Sequence, residues 1–178
     1  MRIGVSGTHG TGKTTLVEEL CVRLPGHEPV DEPYLLLMED DYLFGDPPTL
    51  DDYRMQLRTS LALLRTPGAD VVFDRTPVDL LAYLAAYGRE VEQEVARDVL
   101  EAAMSSLDLL VLLRVTTETE RLLPEPDLPD LREAVDGALA EIVHTDPLDA
   151  WPGLPVLEPT GPLDRRTEAV LGALAGLE

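Results

Sequence analysis

Short apolar runs alternate along the chain with segments in which apolar residues recur at helical spacing. The runs at 2–6, 69–73, 107–115 and 154–157 are predicted strands, and 29–32 is a weaker one. The near-continuous apolar character of 107–115 is that of a parallel strand covered on both faces. Strands that alternate with helices indicate an α/β domain built around a doubly wound, mostly parallel sheet.

Start and stop signals bound the helices between these strands. Thr49 with Asp52 three residues on, and Thr76 followed by Pro77, are predicted to start two of them. The stretch after Pro33 is predicted to be an acidic loop. The predicted helices begin near Lys13, Thr49, Thr76, Val91, Leu131 and Gly161.

A glycine-rich turn joins the first strand to the first helix. Residues 7–14 fill every position of the pattern G-x-x-x-x-G-K-[ST], in which backbone N–H groups surround phosphate oxygens. Lys13 is expected to reach the β- and γ-phosphates of ATP and the Thr14 hydroxyl to bind Mg²⁺. With this loop the fold class becomes a P-loop NTPase, a three-layer sandwich with a five-stranded sheet. The predicted nucleotide-binding residues are Gly7, Thr8, His9, Gly10, Thr11, Gly12, Lys13, Thr14 and Thr15.

The charge balance narrows the range of partners. The formal net charge is -20, which argues against binding to nucleic acid or to an anionic membrane. A nucleotide site must therefore be a local positive region, and Lys13 is the only lysine in the chain. There is no apolar run long enough to span a membrane and no secretory signal, which predicts a cytoplasmic protein.

Charged residues follow the second and third strands. Asp74 ends the run 69–73, where a P-loop domain has the carboxylate that binds Mg²⁺ directly or through water. Arg75 either holds a substrate phosphate or hydroxyl, or is a salt-bridge residue. Glu32 either accepts a proton from an attacking hydroxyl or is a solvated turn acid. His9 either packs or faces solvent at the tip of the phosphate loop.

The helix between the second and third strands carries three polar residues that face a substrate region or form a solvated helix face. The solvated face is the favoured interpretation. The three residues are Arg54, Gln56 and Arg58.

These motifs together resemble the P-loop nucleoside and nucleotide kinases. The likeness is to the nicotinamide riboside kinase type of ATP-binding AAA ATPase and, more distantly, to deoxynucleoside kinases. It rests on residues 7–16, on Asp-Glu-Pro at 31–33, and on 73–79 running on to Ala82-Tyr83. The resemblance implies that Glu32 is the general base and that Arg75 lies near the transferred phosphoryl group.

The same resemblance implies an organisation for the whole chain. It predicts a single domain over 1–178, with a substrate-binding region at about 32–69 and a lid-like segment at about 116–131. A loop at 161–165 would flank the nucleotide base. Such kinases close an arginine-rich lid over the phosphates, whereas this segment is acidic and rich in proline, and Arg121 is its expected catalytic cation.

The sequence supports a small-molecule kinase that uses ATP and Mg²⁺ and phosphorylates a hydroxyl of a nucleoside-like metabolite. The alternative is a slow ATPase switch that acts through a protein partner, and a homodimer is also compatible with the sequence. A polynucleotide end kinase is a weaker third hypothesis, because of the net charge. The chain lacks the Asn-Lys-x-Asp motif of common GTPases, which favours ATP over GTP.

Overall fold

A computed structural model describes residues 1–116 and 129–177. Within these ranges five strands and eight helices follow one another. The strands are β1 (Arg2–Gly7), β2 (Glu28–Val30), β3 (Val71–Asp74), β4 (Leu109–Leu113) and β5 (Val156–Leu157). The helices are α1 (Lys13–Arg23), α2 (Pro33–Glu39), α3 (Leu50–Arg65), α4 (Pro77–Ala86), α5 (Val91–Glu94), α6 (Arg97–Met104), α7 (Pro129–Thr145) and α8 (Leu163–Ala175).

The five strands form one sheet in the order β2-β3-β1-β4-β5, and every pairing is parallel. Ile3 is opposite Val72 on one side and Leu109 on the other, so β1 is the central strand. Parallel neighbours bring the carboxyl ends of β2, β3 and β1 to one edge of the sheet. The predicted five-stranded α/β fold is confirmed, and the sheet is wholly parallel.

Successive side chains of each strand point to opposite faces of the sheet, and they pack into two separate hydrophobic cores. Ile3 and Val111 join α1 and α8 on one face, and Leu110 and Phe73 join α3, α4, α6 and α7 on the other. These helical layers complete the predicted sandwich and make the central strands inaccessible to water.

Two predicted elements differ in the structure. Residues Pro33–Glu39 form α2 rather than a loop, because Pro33 occupies the first helical turn and Leu37 is buried. The single helix predicted to begin near Val91 is two helices, since Val95 is extended and buried between α5 and α6. Among the described helices none is long and apolar enough to span a membrane.

Asp52 is the buried polar centre of the segment between α2 and α3. Its carboxylate accepts hydrogen bonds from the Tyr42 hydroxyl (3.0 Å), Gly45 N (3.2 Å), Thr49 N (2.6 Å) and Thr49 Oγ1 (2.8 Å). Burial alone would raise the pKa of Asp52, but the hydrogen bonds from Thr49, Tyr42 and Gly45 hold it below its ordinary value. The predicted capping box therefore also fixes the loop before α3.

We expect Asp52→Asn to lower the free energy of unfolding by about 1–3 kcal/mol, because an amide nitrogen replaces an acceptor of several hydrogen bonds. Asp51→Asn is the matched control, since Asp51 is exposed and its ion pair with Arg54 lies at the surface. Urea denaturation measures both. The sign for pH follows from the lowered pKa: the difference between wild type and Asp52→Asn is present at neutral pH and shrinks as the pH falls below 4. Equal losses in the two variants would contradict this assignment.

Candidate nucleotide-binding site

The phosphate loop connects the central strand β1 to α1 at the carboxyl edge of the sheet. Gly12 has φ of +87° at the start of α1, a left-handed conformation that favours glycine. A Cβ atom on Gly7 would lie 2.6 Å from the Leu113 carbonyl oxygen of β4. The first glycine of the motif is therefore required by the close approach of β4, and Gly12 by the turn into the helix.

Lys13 lies inside this loop and is buried. Its Nζ donates to the Thr8 carbonyl at 3.1 Å, and it forms no ion pair with a carboxylate in the described chain. Burial, and then the positive charge of Arg75, lower the pKa of Lys13 to about 8. The ammonium group is thus under-compensated, which is the state that an incoming polyphosphate would relieve.

The Thr14 hydroxyl and Asp74 form the expected metal-binding pair. Thr14 Oγ1 donates to Asp74 Oδ2 at 2.5 Å, across the gap between α1 and the end of β3. Asp74 Oδ1 is buried and has no hydrogen-bond partner in residues 1–116 and 129–177. Burial raises the pKa of Asp74. A hard cation with oxygen ligands would satisfy this oxygen and favour the ionised carboxylate, so the residues fit Mg²⁺.

Glu32 and Arg75 meet at the adjacent strand ends. Arg75 Nε donates to Glu32 Oε2 at 2.5 Å, and both side chains are largely buried. Burial would raise the pKa of Glu32, but the charge and hydrogen bond of Arg75, with smaller effects of Lys13 and His9, lower it below its ordinary value. Arg75 therefore forms a salt bridge, and its partner is the other candidate site residue, Glu32. This arrangement is compatible both with a salt-bridge role for Arg75 and with a role in holding a substrate phosphate or hydroxyl.

The backbone of Arg75 bends sharply where β3 ends. Its φ is +75°, uncommon for a residue with a side chain, and its guanidinium lies 5.5 Å from the ring centroid of Tyr83. Arg75 N also donates to the Val5 carbonyl of β1 at 2.9 Å. The bend turns the guanidinium toward Glu32 and away from the continuation of the strand.

Asp79 is a site residue that the sequence reasoning missed. Its Oδ1 accepts from Gly7 N at 2.8 Å and its Oδ2 from Thr76 N at 2.9 Å. Oδ1 also lies 3.8 Å from Arg75 Nη1. The local signal was the capping box formed by Thr76 and Asp79, but its link to the phosphate loop depends on the pairing of β1 with β3.

The remaining predicted residues take different positions. The His9 side chain is exposed at the tip of the phosphate loop. Gln56 is buried, so the solvated-face interpretation is wrong for that residue; Arg58 is exposed. Arg121 lies outside the described residues.

Arg54 is fixed in an ion-pair cluster. Its Nε donates to Glu94 Oε2 at 2.8 Å, and Arg89 Nε donates to Glu94 Oε1 at 2.9 Å. The hydrogen bond from Arg54 is the largest effect on Glu94 and, with Arg89, lowers its pKa to about 2. The Arg54 side chain stays 30% exposed and also pairs with the exposed Asp51, so it lies at the surface within this cluster.

This geometry defines a P-loop nucleotide-binding domain, and comparison with known proteins gives its family. The model of the AAA domain family matches residues 2–149, so the chain belongs to that family. A search of curated protein sequences finds no match.

Solved structures of P-loop kinases share the fold over nearly the whole chain. A deoxyadenosine kinase from M. mycoides, with products dCMP and a flexible dCDP bound, is 18% identical with a TM-score of 0.66 and full coverage of both chains, at 100% each. Shikimate kinase from Aquifex aeolicus is 14% identical with a TM-score of 0.62, covering 99% of this chain and 97% of that one. NadR in complex with NAD and AMP-PNP is 20% identical with a TM-score of 0.65, covering 99% of this chain and 49% of that one. The resemblance to P-loop kinases is confirmed.

The buried ammonium of Lys13 should destabilise the protein without nucleotide. We expect Lys13→Met to raise the free energy of unfolding by up to about 3 kcal/mol at neutral pH, because methionine fills the same space without a charge. The same change should abolish ATP binding. Denaturation without ligand and calorimetric titration with ATP measure the two effects.

The pH dependence of the stability difference between Lys13→Met and wild type tests the same assignment. The folded-state pKa of Lys13 is about 8, against 10.5 for the free side chain. Below pH 8 lysine is charged in both states and the folded state bears the full cost. As the pH rises toward 10.5 this cost disappears, so the advantage of Lys13→Met should shrink. An advantage that stays constant between pH 7 and 10.5 would contradict the assignment.

Proposed function

We propose that this protein is a small-molecule kinase that transfers the γ-phosphoryl group of ATP to a hydroxyl of a nucleoside-like metabolite. The Glu32–Arg75 pair at the edge that carries the phosphate loop is the observation that favours this function. A protein that only bound or slowly hydrolysed nucleotide would have no need of a buried carboxylate and guanidinium beside the loop.

Glu32 is suited to the role of general base. Its lowered pKa means that the carboxylate is ionised at neutral pH and can accept a proton. Its position at the start of α2 fixes the backbone, and the bond to Arg75 fixes the side chain. An acceptor hydroxyl that hydrogen-bonds to Glu32 would therefore be oriented toward the phosphate loop.

Cations around the loop would stabilise the transferring phosphoryl group. Lys13 and Arg75 are both buried at this edge, although the chain carries a net charge of -20. Arg132 of α7 affects the pKa of His9, and its Nε and Nη2 are buried without a hydrogen-bond partner in the described ranges. Thr14 and Asp74 would hold Mg²⁺, which would supply positive charge to offset that of the phosphates. Arg121 remains a further proposed cation.

The acceptor would bind between α2, α3 and α4, within the proposed substrate region 32–69 of a single domain. Tyr53 and Tyr83 stack there at 4.9 Å between ring centroids, and Tyr83 also lies beneath Arg75. Tyr53 is buried, but Tyr83 is partly exposed and offers an aromatic edge beside the charged pair, which suits a compound with both a ring and a hydroxyl. The nucleotides bound to the similar deoxyadenosine kinase support a nucleoside-like acceptor. The segment 116–131 is proposed as the lid.

We expect purified protein with Mg-ATP to release ADP faster when one of three pools is added: nucleosides, nucleotides or ribosyl cofactor precursors. Lys13→Ala should lose this stimulation, because the cation that contacts the phosphates is removed. A coupled ADP assay measures the rates. Tight ATP binding with no stimulation by any pool would contradict the kinase and support the switch that acts through a protein partner.

The base is tested separately with Glu32→Gln. We expect kcat for the identified acceptor to fall by about 10²–10⁴-fold while the Kd for ATP changes little, since glutamine keeps the size but cannot accept the proton. Glu39→Gln is the matched control, because Glu39 is an exposed acid at the other end of α2. A fall of less than about threefold in Glu32→Gln would remove Glu32 from this role.

A further inference from the structure

Arg166 connects the last helix to the back of the phosphate loop. It lies in the first turn of α8 and is only 8% exposed. Its Nη1 donates to the Thr11 carbonyl at 2.8 Å, and its Nε donates to the Gly161 carbonyl at 2.6 Å. One guanidinium therefore binds two segments that are 150 residues apart in sequence.

The environment of Arg166 is unusual for a buried cation. It forms no ion pair with a carboxylate in residues 1–116 and 129–177, whereas Arg114 pairs with Asp136 at 2.8 Å and Arg23 pairs with Glu168 at 2.6 Å. Carbonyl dipoles compensate a buried charge less fully than a carboxylate does. The uncompensated charge lies directly behind the loop that would receive an anion, so it adds to the positive potential there.

The bond to Thr11 also controls the direction of a peptide group. A phosphate loop works only if its N–H groups point inward, which requires its carbonyl groups to find donors elsewhere. The Thr8 carbonyl is bound by Thr11 Oγ1 at 2.9 Å and by Lys13 Nζ at 3.1 Å. The Thr11 carbonyl is bound by Arg166 from outside the loop. A Cβ on Gly12 would lie 3.6 Å from Arg166 Nη1, so the guanidinium lies against the loop.

We propose that Arg166 is a positioning residue that holds the phosphate loop in its anion-binding form by binding the Thr11 carbonyl. This inference rests on the ATP site of the proposed function and gives the last helix a direct part in phosphate binding. Through Gly161, the same guanidinium fixes the loop before α8 relative to the phosphates. No chemical step is assigned to Arg166.

The test compares Arg166→Met, Arg166→Lys and the control Arg23→Met. Arg23 links the neighbouring helix α1 to α8 through an exposed ion pair with Glu168 and does not touch the phosphate loop. Titration calorimetry measures the Kd for Mg-ATP and for inorganic tripolyphosphate, and thermal denaturation without ligand measures folding. Tripolyphosphate is the critical ligand, because it binds the loop without a base or ribose.

Arg166→Met should weaken the binding of both ligands about tenfold or more, since it removes a charge and a hydrogen bond to a carbonyl that must point outward. Arg166→Lys should recover part of the affinity, because lysine keeps the charge but cannot bind both carbonyls in the same fork. Arg23→Met should stay within about twofold of the wild type, as expected for a surface ion pair.

Wild-type affinity in Arg166→Met, or an equal loss in Arg166→Met and Arg23→Met, would overturn the inference. If Arg166→Met does not fold, the test uses Arg166→Lys instead. The inference would then be overturned if Arg166→Lys and Arg23→Met bind tripolyphosphate with equal affinity. The experiment measures binding. Failure to find an acceptor would contradict the proposed kinase activity but would not affect the comparison of affinities among the Arg166 and Arg23 variants. An active kinase with unchanged affinity in Arg166→Met would overturn this inference alone.

Discussion

The buried carboxylate of Asp79 is the contact on which the geometry of the site depends. It accepts hydrogen bonds from Gly7 N at the entrance of the phosphate loop and from Thr76 N at the start of α4, and it lies 3.8 Å from Arg75 Nη1. A single side chain thereby fixes the end of β1 and the bend after β3. Because Arg75 in turn holds Glu32, the position of the candidate base follows from the same carboxylate.

This network is compatible with the net charge only because its charges are arranged locally. Lys13, Arg75 and Arg166 are buried around the phosphate loop, and Lys13 and Arg166 face carbonyl oxygens rather than carboxylates. Carbonyl dipoles and the end of α1 leave the positive potential largely uncancelled. The net charge of -20 belongs to the chain as a whole, while the loop gathers cations at one place.

The charges that would bind phosphate are therefore expected to lower the stability of the folded protein without a ligand. The pKa of Lys13 is lowered to about 8, which means that the folded state without a ligand disfavours the very charge that binding requires. A buried oxygen of Asp74 without a partner in the described chain adds to the same imbalance. Such sites are expected to be the least relaxed part of a fold, because their partners arrive with the substrate.

Local sequence patterns determined the phosphate loop, the fold class and the start of two helices. The strand-loop-helix pattern around residues 7–14 predicted the phosphate loop, and apolar periodicity predicted the five-stranded α/β fold that the structure confirms. Caps at Thr49 and Thr76 were also predicted correctly, because capping acts within four residues. Helix α2 was missed although Pro33 in its first turn is a local helix signal, and the break at Val95 was missed because it depends on burial against other elements.

Only the tertiary structure decided which of the polar residues act together. Glu32 and Arg75 are 43 residues apart, and Arg166 reaches Thr11 across 155 residues. In a chain with 34 acidic residues and 13 arginines, no local pattern distinguishes such a pair from solvated side chains. The distinction comes from the order of the strands, because parallel pairing around β1 brings these residues to one edge and buries them there.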